Sequence, residues 1–253
     1  MGRDLRVVPE KIRKMEANYF ITGIDTDAGK SVVTGVMARW LRSKGVRVIT
    51  QKMAQTGNTE SSEDIAAHRR IMGVAAFPED AEGATCPYIF PFPAAPDLSA
   101  RLAGKRIEFG VIRKATEQLK ERYECVLTEG VGGLMVPLCG CRTVADYLTE
   151  YPCPVVLVCH GRLGSVNHAL LSLEVCRNRG IRVAALVYNT GLAADPVIAE
   201  DTRRTLREAG ERYFPGIPLI DFPFWEEGVS LPDFAPDFAP LFGSERTFRM
   251  SIE

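Results

Sequence analysis

One glycine-bounded segment, residues 23–31, limits what this chain can fold into more than any other feature. It reads Gly-Ile-Asp-Thr-Asp-Ala-Gly-Lys-Ser, follows an apolar run at 19–22, and precedes a helical pattern over about 32–41. A strand, a glycine-bounded loop and a helix that starts with Lys-Ser are typical of a P-loop, whose backbone N–H groups bind phosphate. Lys30 can reach the β- and γ-phosphates, and the Ser31 hydroxyl can ligate Mg²⁺.

The spacing of this loop departs from the strict pattern. Five residues rather than four separate Gly23 from Gly29, and Ile24 stands where the strict pattern needs a glycine. The alternative without a ligand is a glycine turn between a buried strand and a helix. A lysine at the helix start carries a desolvation cost unless an anion meets it, so the segment favours phosphate binding.

Composition excludes several classes of protein. The 253 residues, 46% hydrophobic and 25% charged, are typical of a globular chain with one large or two small domains. With 31 basic and 32 acidic residues, no net charge favours nucleic acid or a membrane surface. No apolar run reaches the roughly 18 residues of a membrane helix. The seven cysteines, without a secretory signal, indicate reduced thiols in a cytoplasmic protein.

Short apolar runs alternate with helical patterns along the chain. The runs are near-continuous, as in parallel strands buried on both faces, and predict strands at 19–22, 46–50, 125–128, 154–159, 183–188 and, more weakly, 217–220. Apolar residues at helical spacing predict helices around 109–123 and 166–176. This alternation predicts an α/β fold of the P-loop NTPase type, with a single doubly wound, mostly parallel sheet and helices on both faces.

The chain gives no sign of a repeat or of a boundary between domains. We expect one domain over 1–253, with a long connection at 77–96. A charged N-terminal extension is expected at 1–17, and an irregular C-terminal extension at 228–253, where Asp-Phe-Ala-Pro occurs twice.

Polar residues stand at the ends of the predicted strands, where open parallel sheets bind their ligands. Lys52, Glu129 and Asn189 each follow such a strand, as the P-loop does. Simpler alternatives exist: Lys52 can be a solvated lysine, Glu129 can cap the glycine turn after it, and Asp64 can cap a helix. Carboxylates beside a P-loop also suit Mg²⁺, which takes one or two of them together with phosphate oxygens.

Other candidate metal ligands and nucleophiles lack the required spacing. Cys139 and Cys141 form no Cys-x-x-Cys pair and are expected to be incidental thiols. The histidines are expected to be structural; they are His68, His160 and His168. No Gly-x-Ser-x-Gly elbow supports a serine hydrolase. The residues alone therefore predict an ATP-using, Mg²⁺-dependent protein, and they leave the phosphoryl acceptor open.

Several motifs in order resemble the dethiobiotin synthetase family. They begin with Thr-Gly-x-Asp-Thr-x-x-Gly-Lys-Ser at 22–31, which shares the five-residue spacing, and the resemblance covers about 19–189. The further matches are Gln-Lys-Met-Ala-Gln-Thr-Gly at 51–57, Ser-Glu-Asp at 62–64, Pro-Tyr-x-Phe at 87–90, Glu-Gly-Val-Gly-Gly-Leu-Met-Val-Pro-Leu at 129–138 and Leu-Gly-Ser-Val-Asn-His at 163–168.

The resemblance implies an ATP-dependent ligase of biotin biosynthesis that closes the ureido ring of dethiobiotin. Its substrates would be 7,8-diaminopelargonate, carbon dioxide and ATP, with Mg²⁺ as cofactor, in a homodimer with shared active sites and without nucleic acid or membrane partners. The implied catalytic residues are Lys30, Lys52 and Thr26. The implied substrate-binding residues are Asp27, Thr56, Gly164, Ser165 and Asn167. The implied nucleotide-binding residues are Asp25, Ala28, Gly29, Lys30, Ser31, Val32, Glu129, Gly132, Asn189 and Pro223. The implied Mg²⁺ ligands are Ser31, Asp64 and Glu129.

The chain also departs from the family pattern in two places. Met53 stands where many members have proline, and Asp97 stands where a histidine is frequent. Two other hypotheses compete with the synthetase. A cobyrinic acid amide synthase would need a glutaminase domain, for which the length leaves no room. A ParA/MinD-like ATP switch would carry an extra lysine early in the loop, where this chain has Ile24-Asp25-Thr26.

Overall fold

The structure is a computed structural model that describes residues 15–192, 195–223, 225 and 236–242. Its strands are β1 (Asn18–Gly23), β2 (Val48–Lys52), β3 (Gln55–Thr56), β4 (Ile89–Phe90), β5 (Cys125–Glu129), β6 (Pro137–Cys139), β7 (Arg142–Thr143), β8 (Val155–His160), β9 (Val183–Asn189) and β10 (Leu219–Phe222). Its α-helices are α1 (Lys30–Ser43), α2 (Glu63–Met72), α3 (Pro78–Ala81), α4 (Pro96–Leu102), α5 (Phe109–Arg122), α6 (Val144–Glu150), α7 (Ser165–Asn178), α8 (Pro196–Tyr213) and α9 (Ala239–Phe242). A 3₁₀ turn spans Thr190–Leu192.

Six strands form one parallel sheet in the order β10-β9-β8-β1-β5-β2. The central strand β1 pairs with β5 on one side and β8 on the other. The chain passes from β1 to the β2 edge through α1, and then returns strand by strand to β10. Because crossovers between parallel strands are right-handed, these two directions place helices on opposite faces. The predicted doubly wound α/β fold is confirmed.

All six predicted strands are present, and their burial explains why the sequence reveals them. Every residue of β2, β5 and β8 is buried. Two strands, β2 and β10, lie two residues later than the apolar runs predict. In β2 the reason is that Gln51 and Lys52, although polar, continue the hydrogen-bonded ladder beside β5.

The predicted helical faces pack as the periodicity indicates. Phe109, Ile112 and Leu119 of α5 are buried, as are Ala169 and Leu173 of α7. Among the described residues, none of the helices is both long enough and apolar enough to cross a membrane. That the whole chain forms one domain stays a prediction.

The segment predicted as a long connection and the C-terminal extension predicted as irregular both contain regular structure. Within 77–96 lie the short helix α3 and strand β4, which pairs in parallel with β3. Near the C-terminus, Phe238 and Phe242 are fully buried, with ring centroids 6.1 and 5.8 Å from that of Trp40 in α1. The rest of the two expected terminal extensions lies outside the described residues, apart from 15–17 beside β1.

Candidate active site

The loop after β1 wraps around the ammonium of Lys30. Gly29, at φ 93°, precedes α1, and Lys30 is the first residue of that helix. Nζ of Lys30 donates hydrogen bonds to the backbone oxygens of Asp25 (2.8 Å) and Thr26 (2.7 Å). Burial is the main reason why the pKa of Lys30 falls to about 8. The loop thus holds a desolvated cation at a helix N-terminus, a place that attracts anions.

Glycine at position 29 is required by a close neighbour as well as by its positive φ. A Cβ on Gly29 would lie 2.3 Å from Nδ2 of Asn189. Asn189 ends β9 and donates from Nδ2 to the backbone oxygen of Ala28 at 3.2 Å. The end of one strand therefore packs directly on the loop that follows another.

Four polar side chains from different elements meet beside this loop. Oγ of Ser31 lies 2.9 Å from Oδ1 of Asp64 and 2.9 Å from Oε1 of Glu129. Nζ of Lys52 lies 2.7 Å from Oδ2 of Asp64 and 2.7 Å from Oε1 of Glu129. The structure thus brings together a hydroxyl, an ammonium and two carboxylates that the sequence analysis singled out one by one.

Strand register explains why Lys52 and Glu129 meet. They are paired residues of the neighbouring strands β2 and β5. Burial alone would raise the pKa of Glu129, but Lys52 and His68 outweigh it and hold that pKa far below its ordinary value. Burial opposes the rise in the pKa of Lys52, and the carboxylates of Glu129 and Asp64 outweigh it. Lys52 is 5% exposed, so the solvated alternative is wrong.

The helix-capping alternative for Asp64 is also wrong. Ser62 is the N-cap of α2, and its Oγ accepts a hydrogen bond from the backbone N–H of Ile65 at 3.1 Å. Asp64 is the second residue of the helix. Its carboxylate is therefore free to pair with Lys52 and Ser31.

The donor set suits a hard cation that is shared with a ligand. Within the described ranges, no group of three or more His, Cys, Asp or Glu side chains is arranged to hold a metal by itself. Ser31, Asp64 and Glu129 supply oxygen atoms only, which is the ligand type of Mg²⁺. A Mg²⁺ ion here would complete its coordination with phosphate oxygens and water.

A cavity of about 370 Å³ opens over the P-loop. Thr26, Asp27 and Ser31 lie in its wall, at the carboxyl end of β1. Arg162 and Trp225 face it from the loops after β8 and β10. The full lining consists of Thr26, Asp27, Gly29, Lys30, Ser31, Val32, Arg162, Asn189, Leu192, Phe222 and Trp225.

A second cavity of about 370 Å³ lies on the other side of the same loop. Asp25 and Thr26 contribute to it, and so do residues 133–137 after β5 and one side of α7. Met135 and Leu171 in its wall are 52% and 58% exposed. Thr26 lies in the walls of both cavities, so that it stands between two spaces that a pair of substrates could fill.

Some predicted site residues line neither cavity. Gly132, at φ 57°, approaches the P-loop: a Cβ there would lie 3.7 Å from Oγ1 of Thr26. Thr56 lies in β3 and lines neither cavity, and Pro223 is exposed after β10. The predicted residues at the start of α7 also line neither cavity of the single chain; they are Gly164, Ser165 and Asn167.

The two departures from the family pattern have different surroundings. The backbone N–H of Met53 donates to the backbone oxygen of Glu129 at 2.9 Å, a hydrogen bond that proline cannot form. Oδ1 of Asp97 accepts from the backbone N–H of Gly140 at 2.6 Å and lies outside both cavities. Met53 therefore adds a link between β2 and the end of β5.

Comparison with known proteins decides the family. A family profile described as an AAA domain matches residues 17–219. The ATP-dependent dethiobiotin synthetase BioD of Chlorobaculum tepidum is 50% identical over 213 residues, which are 84% of this chain and 89% of that protein. The chain belongs to the dethiobiotin synthetase family. BioD 2 of Pasteurella multocida is 46% identical over 197 residues, 78% of this chain and 92% of that protein.

A solved structure supports the fold of this dethiobiotin synthetase family member. A ParA family ATPase from Chlorobium tepidum superposes with a TM-score of 0.50 and 13% identity, covering 94% of this chain and 98% of that one. At that identity the likeness concerns the P-loop fold alone. The ParA-like hypothesis therefore receives no support beyond the shared architecture.

Sequence reasoning missed two residues of this family member that touch the site. His68 was expected to be structural, yet its Nε2 lies 2.8 Å from Oε2 of Glu129. A signal was present, since His68 follows Asp64 by one helical turn and shares the buried side of α2 with Ile65 and Ile71. The sequence analysis did not single out Arg162 either, and this residue lines the cavity over the P-loop.

Proposed function

We propose that this chain is an ATP-dependent dethiobiotin synthetase that builds the ureido ring from 7,8-diaminopelargonate and carbon dioxide in the cytoplasm. The observation that carries the proposal is a second lysine next to the P-loop lysine Lys30: the ammonium of Lys52 contacts Asp64 and Glu129, the two carboxylates that also contact the Ser31 hydroxyl. A ligase of this kind transfers a phosphoryl group and needs fixed positive charge where negative charge develops. Membership of the family supports the reaction type.

The proposed reaction has three steps. One substrate amine adds to carbon dioxide and loses a proton, which gives a carbamate. A carbamate oxygen attacks the γ-phosphorus of ATP, ADP leaves, and a carbamic–phosphoric anhydride forms. The second amine then attacks the carbamate carbon, phosphate leaves with the C–O bond electrons, and a proton is released as the ring closes.

The chain's own residues bind and orient these groups. Lys30 holds the β- and γ-phosphates, and Lys52 neutralises the carbamate and the transferring phosphoryl group. Thr26, which lies between the two cavities, orients the carbamate and the transferring phosphoryl group, and Thr56 in β3 assists. The family resemblance implies that Asp27 lies near a substrate amine; in the single chain this residue lines the cavity over the P-loop.

The nucleotide and cation sites complete the proposal. The loop amides at residues 28–32 and Gly132 surround the phosphates, with Asp25 shaping the loop. Asn189 and Pro223 hold the adenine. Ser31, Asp64 and Glu129 would hold Mg²⁺, which supplies charge neutralisation of the phosphates when bound.

A second copy of the chain is part of the proposal. The start of α7 lines neither cavity of its own chain. As the family resemblance implies, Gly164, Ser165 and Asn167 would bind the carboxylate of the substrate molecule that lies in the active site of the partner chain. A helix N-terminus suits a carboxylate, because its backbone N–H groups are unpaired.

The test of the proposed function is product formation coupled to ATP hydrolysis. Purified protein with Mg²⁺, bicarbonate and 7,8-diaminopelargonate should release one phosphate per ureido product, and an analogue with a single amine should give no ring. Diamine-independent ATP hydrolysis without a ureido product would refute the synthetase.

Lys52 gives the sharpest single substitution. Lys52→Ala should lower kcat by at least about 10²-fold, since it removes a preorganised charge at the transferring group, and should leave ATP affinity largely intact. The variant also removes the ammonium that Asp64 and Glu129 both contact, so thermal unfolding must accompany the kinetics. Lys52→Met, which also lacks the charge but keeps the apolar stem, controls for the packing that alanine loses. Loss of ATP binding would instead place Lys52 in the nucleotide site.

A further inference from the structure

His68 is a buried side chain in α2 whose two ring nitrogens both have partners. Its exposed fraction is 0%, with Nε2 2.8 Å from Oε2 of Glu129 and Nδ1 3.0 Å from Oγ1 of Thr50. The other oxygen of Glu129, Oε1, faces Lys52 and Ser31. The two oxygens of one carboxylate thus have separate tasks.

The direction of the hydrogen bonds behind His68 follows from Arg69. Nη1 of Arg69 donates to Oγ1 of Thr50 at 2.7 Å, and a guanidinium has no acceptor. The Thr50 hydroxyl can then direct its own proton at Nδ1 of His68, which leaves the ring proton on Nε2, towards Glu129. Every donor in the row Arg69, Thr50, His68 therefore points towards Glu129.

The origin of this row is itself fixed. Oδ2 of Asp80 accepts from Nε of Arg69 at 2.9 Å, and Oδ1 accepts from Nη2 at 2.6 Å. The Arg69 guanidinium also lies 4.7 Å from the ring centroid of Phe77. An arginine with a bidentate partner and a stacked ring has little conformational freedom, so its hydrogen bond fixes the Thr50 hydroxyl, which in turn fixes the His68 imidazole.

We propose that His68 is a positioning residue for Glu129: it binds Oε2 from the protein interior so that only Oε1 faces Lys52 and Ser31. The inference rests on the proposed role of Glu129 at the nucleotide–Mg²⁺ site and adds the group that sets its orientation. Partners that orient a ligating side chain typically change metal affinity or activity by about 10–100-fold when they are removed.

Nucleotide binding tests the inference without turnover. The Mg²⁺ concentration that half-saturates binding of a non-hydrolysable ATP analogue should rise at least about tenfold in His68→Leu, which removes the donor. It should rise less than about threefold in His68→Gln, which keeps an N–H near the position of Nε2. An unchanged Mg²⁺ requirement in a folded His68→Leu protein overturns the proposal.

Two further measurements keep the outcome clear. Two-bond ¹H–¹⁵N spectra of the wild-type protein should show the His68 proton on Nε2; a proton on Nδ1 alone overturns the proposal even if the variants do not fold. Glu129→Gln distinguishes a failure of the proposed role of Glu129 from a failure of the positioning role of His68. If it leaves the Mg²⁺ requirement unchanged, the proposed role of Glu129 fails; if it raises the requirement and His68→Leu does not, only the positioning role fails.

Discussion

Single side chains carry the chemistry of this site, and their conformations are set by contacts with distant parts of the chain. Lys30 and Ser31 are neighbours in a contiguous motif, so the local backbone places them, and the sequence predicted their position. Lys52 and Glu129 were found by a rule about strand ends. His68 was missed because its contact with Glu129 joins residues 61 positions apart.

Gly29 illustrates how one atom at this scale can matter. Gly29→Ala should lower ATP affinity at least about tenfold, because the new Cβ would displace the Asn189 side chain, 2.3 Å away, from the cavity over the P-loop. Gly45→Ala is the control: φ is also positive, at 84°, and no atom lies within 4 Å. Both should lose about 1–2 kcal/mol of unfolding free energy through backbone strain. Equal ATP affinity in calorimetric titrations of the two variants would contradict this account.

The Asp80–Arg69 pair predicts a defined pH dependence of stability. Burial alone would raise the pKa of Asp80, but contacts with Arg69, Thr85 and Phe77 outweigh it and hold that pKa below its ordinary value. The ionised Asp80 carboxylate therefore stabilises the folded protein fully above about pH 4, the pKa of aspartate in the unfolded chain. This stabilisation is lost as pH falls through the lower pKa of Asp80 in the folded protein. Asp80→Asn should cost about 3 kcal/mol at pH 7, and the difference from wild type should shrink below pH 4.

Denaturant unfolding at several pH values provides the measurement for Asp80. The exposed pair Arg204–Asp201 offers a control, since the Asp201 side chain is 63% exposed and its pairing is screened by water. Asp201→Asn should change stability by less than about 1 kcal/mol at every pH. If Asp80→Asn lowers the free energy of unfolding by the same amount at every pH, the Asp80 side chain stabilises the protein through packing rather than through its charge.

Helices and strands were the level at which the sequence was most informative. Continuous apolar runs revealed all six strands of the main sheet because burial on both faces leaves room for few polar residues. The short elements were missed, since the two residues of β3 or β4 are too few to show a period. Their pairing depends instead on where the segment after α2 returns beside β3, in a two-stranded sheet of its own.

The contact between α1 and α2 can be tested with one methyl group. A Cβ on Gly35 in α1 would lie 2.8 Å from Cδ1 and 2.9 Å from Cβ of Ile71 in α2. Gly35→Ala should therefore destabilise the protein by about 1–3 kcal/mol, despite the better helix propensity of alanine. Gly110→Ala in α5, with no atom within 4 Å, should instead stabilise it by about 0.5 kcal/mol. Thermal unfolding that ranks the two variants the other way would exclude tight α1–α2 packing.

Assembly belongs to the scale of the whole molecule. If active sites are shared, Lys30→Ala and Asn167→Ala are each inactive, but a mixed dimer regains one intact site. Co-expression with different tags should then give about a quarter of wild-type activity, because about half of the dimers are mixed and each has one working site. Sedimentation should give about twice the chain mass of 27.9 kDa. Absence of recovery in purified mixed dimers would place each site within one chain.

The sequence by itself determined the P-loop, the parallel α/β sheet and the family, because each is encoded by contiguous residues or by burial along single strands. Only the tertiary structure decided that Lys52 lies between Asp64 and Glu129, and that His68 reaches the same carboxylate from behind. Those contacts depend on strand order and register, since β5 is inserted between β1 and β2. That order depends on how the whole chain buries its apolar surface, and no short stretch of the sequence determines it.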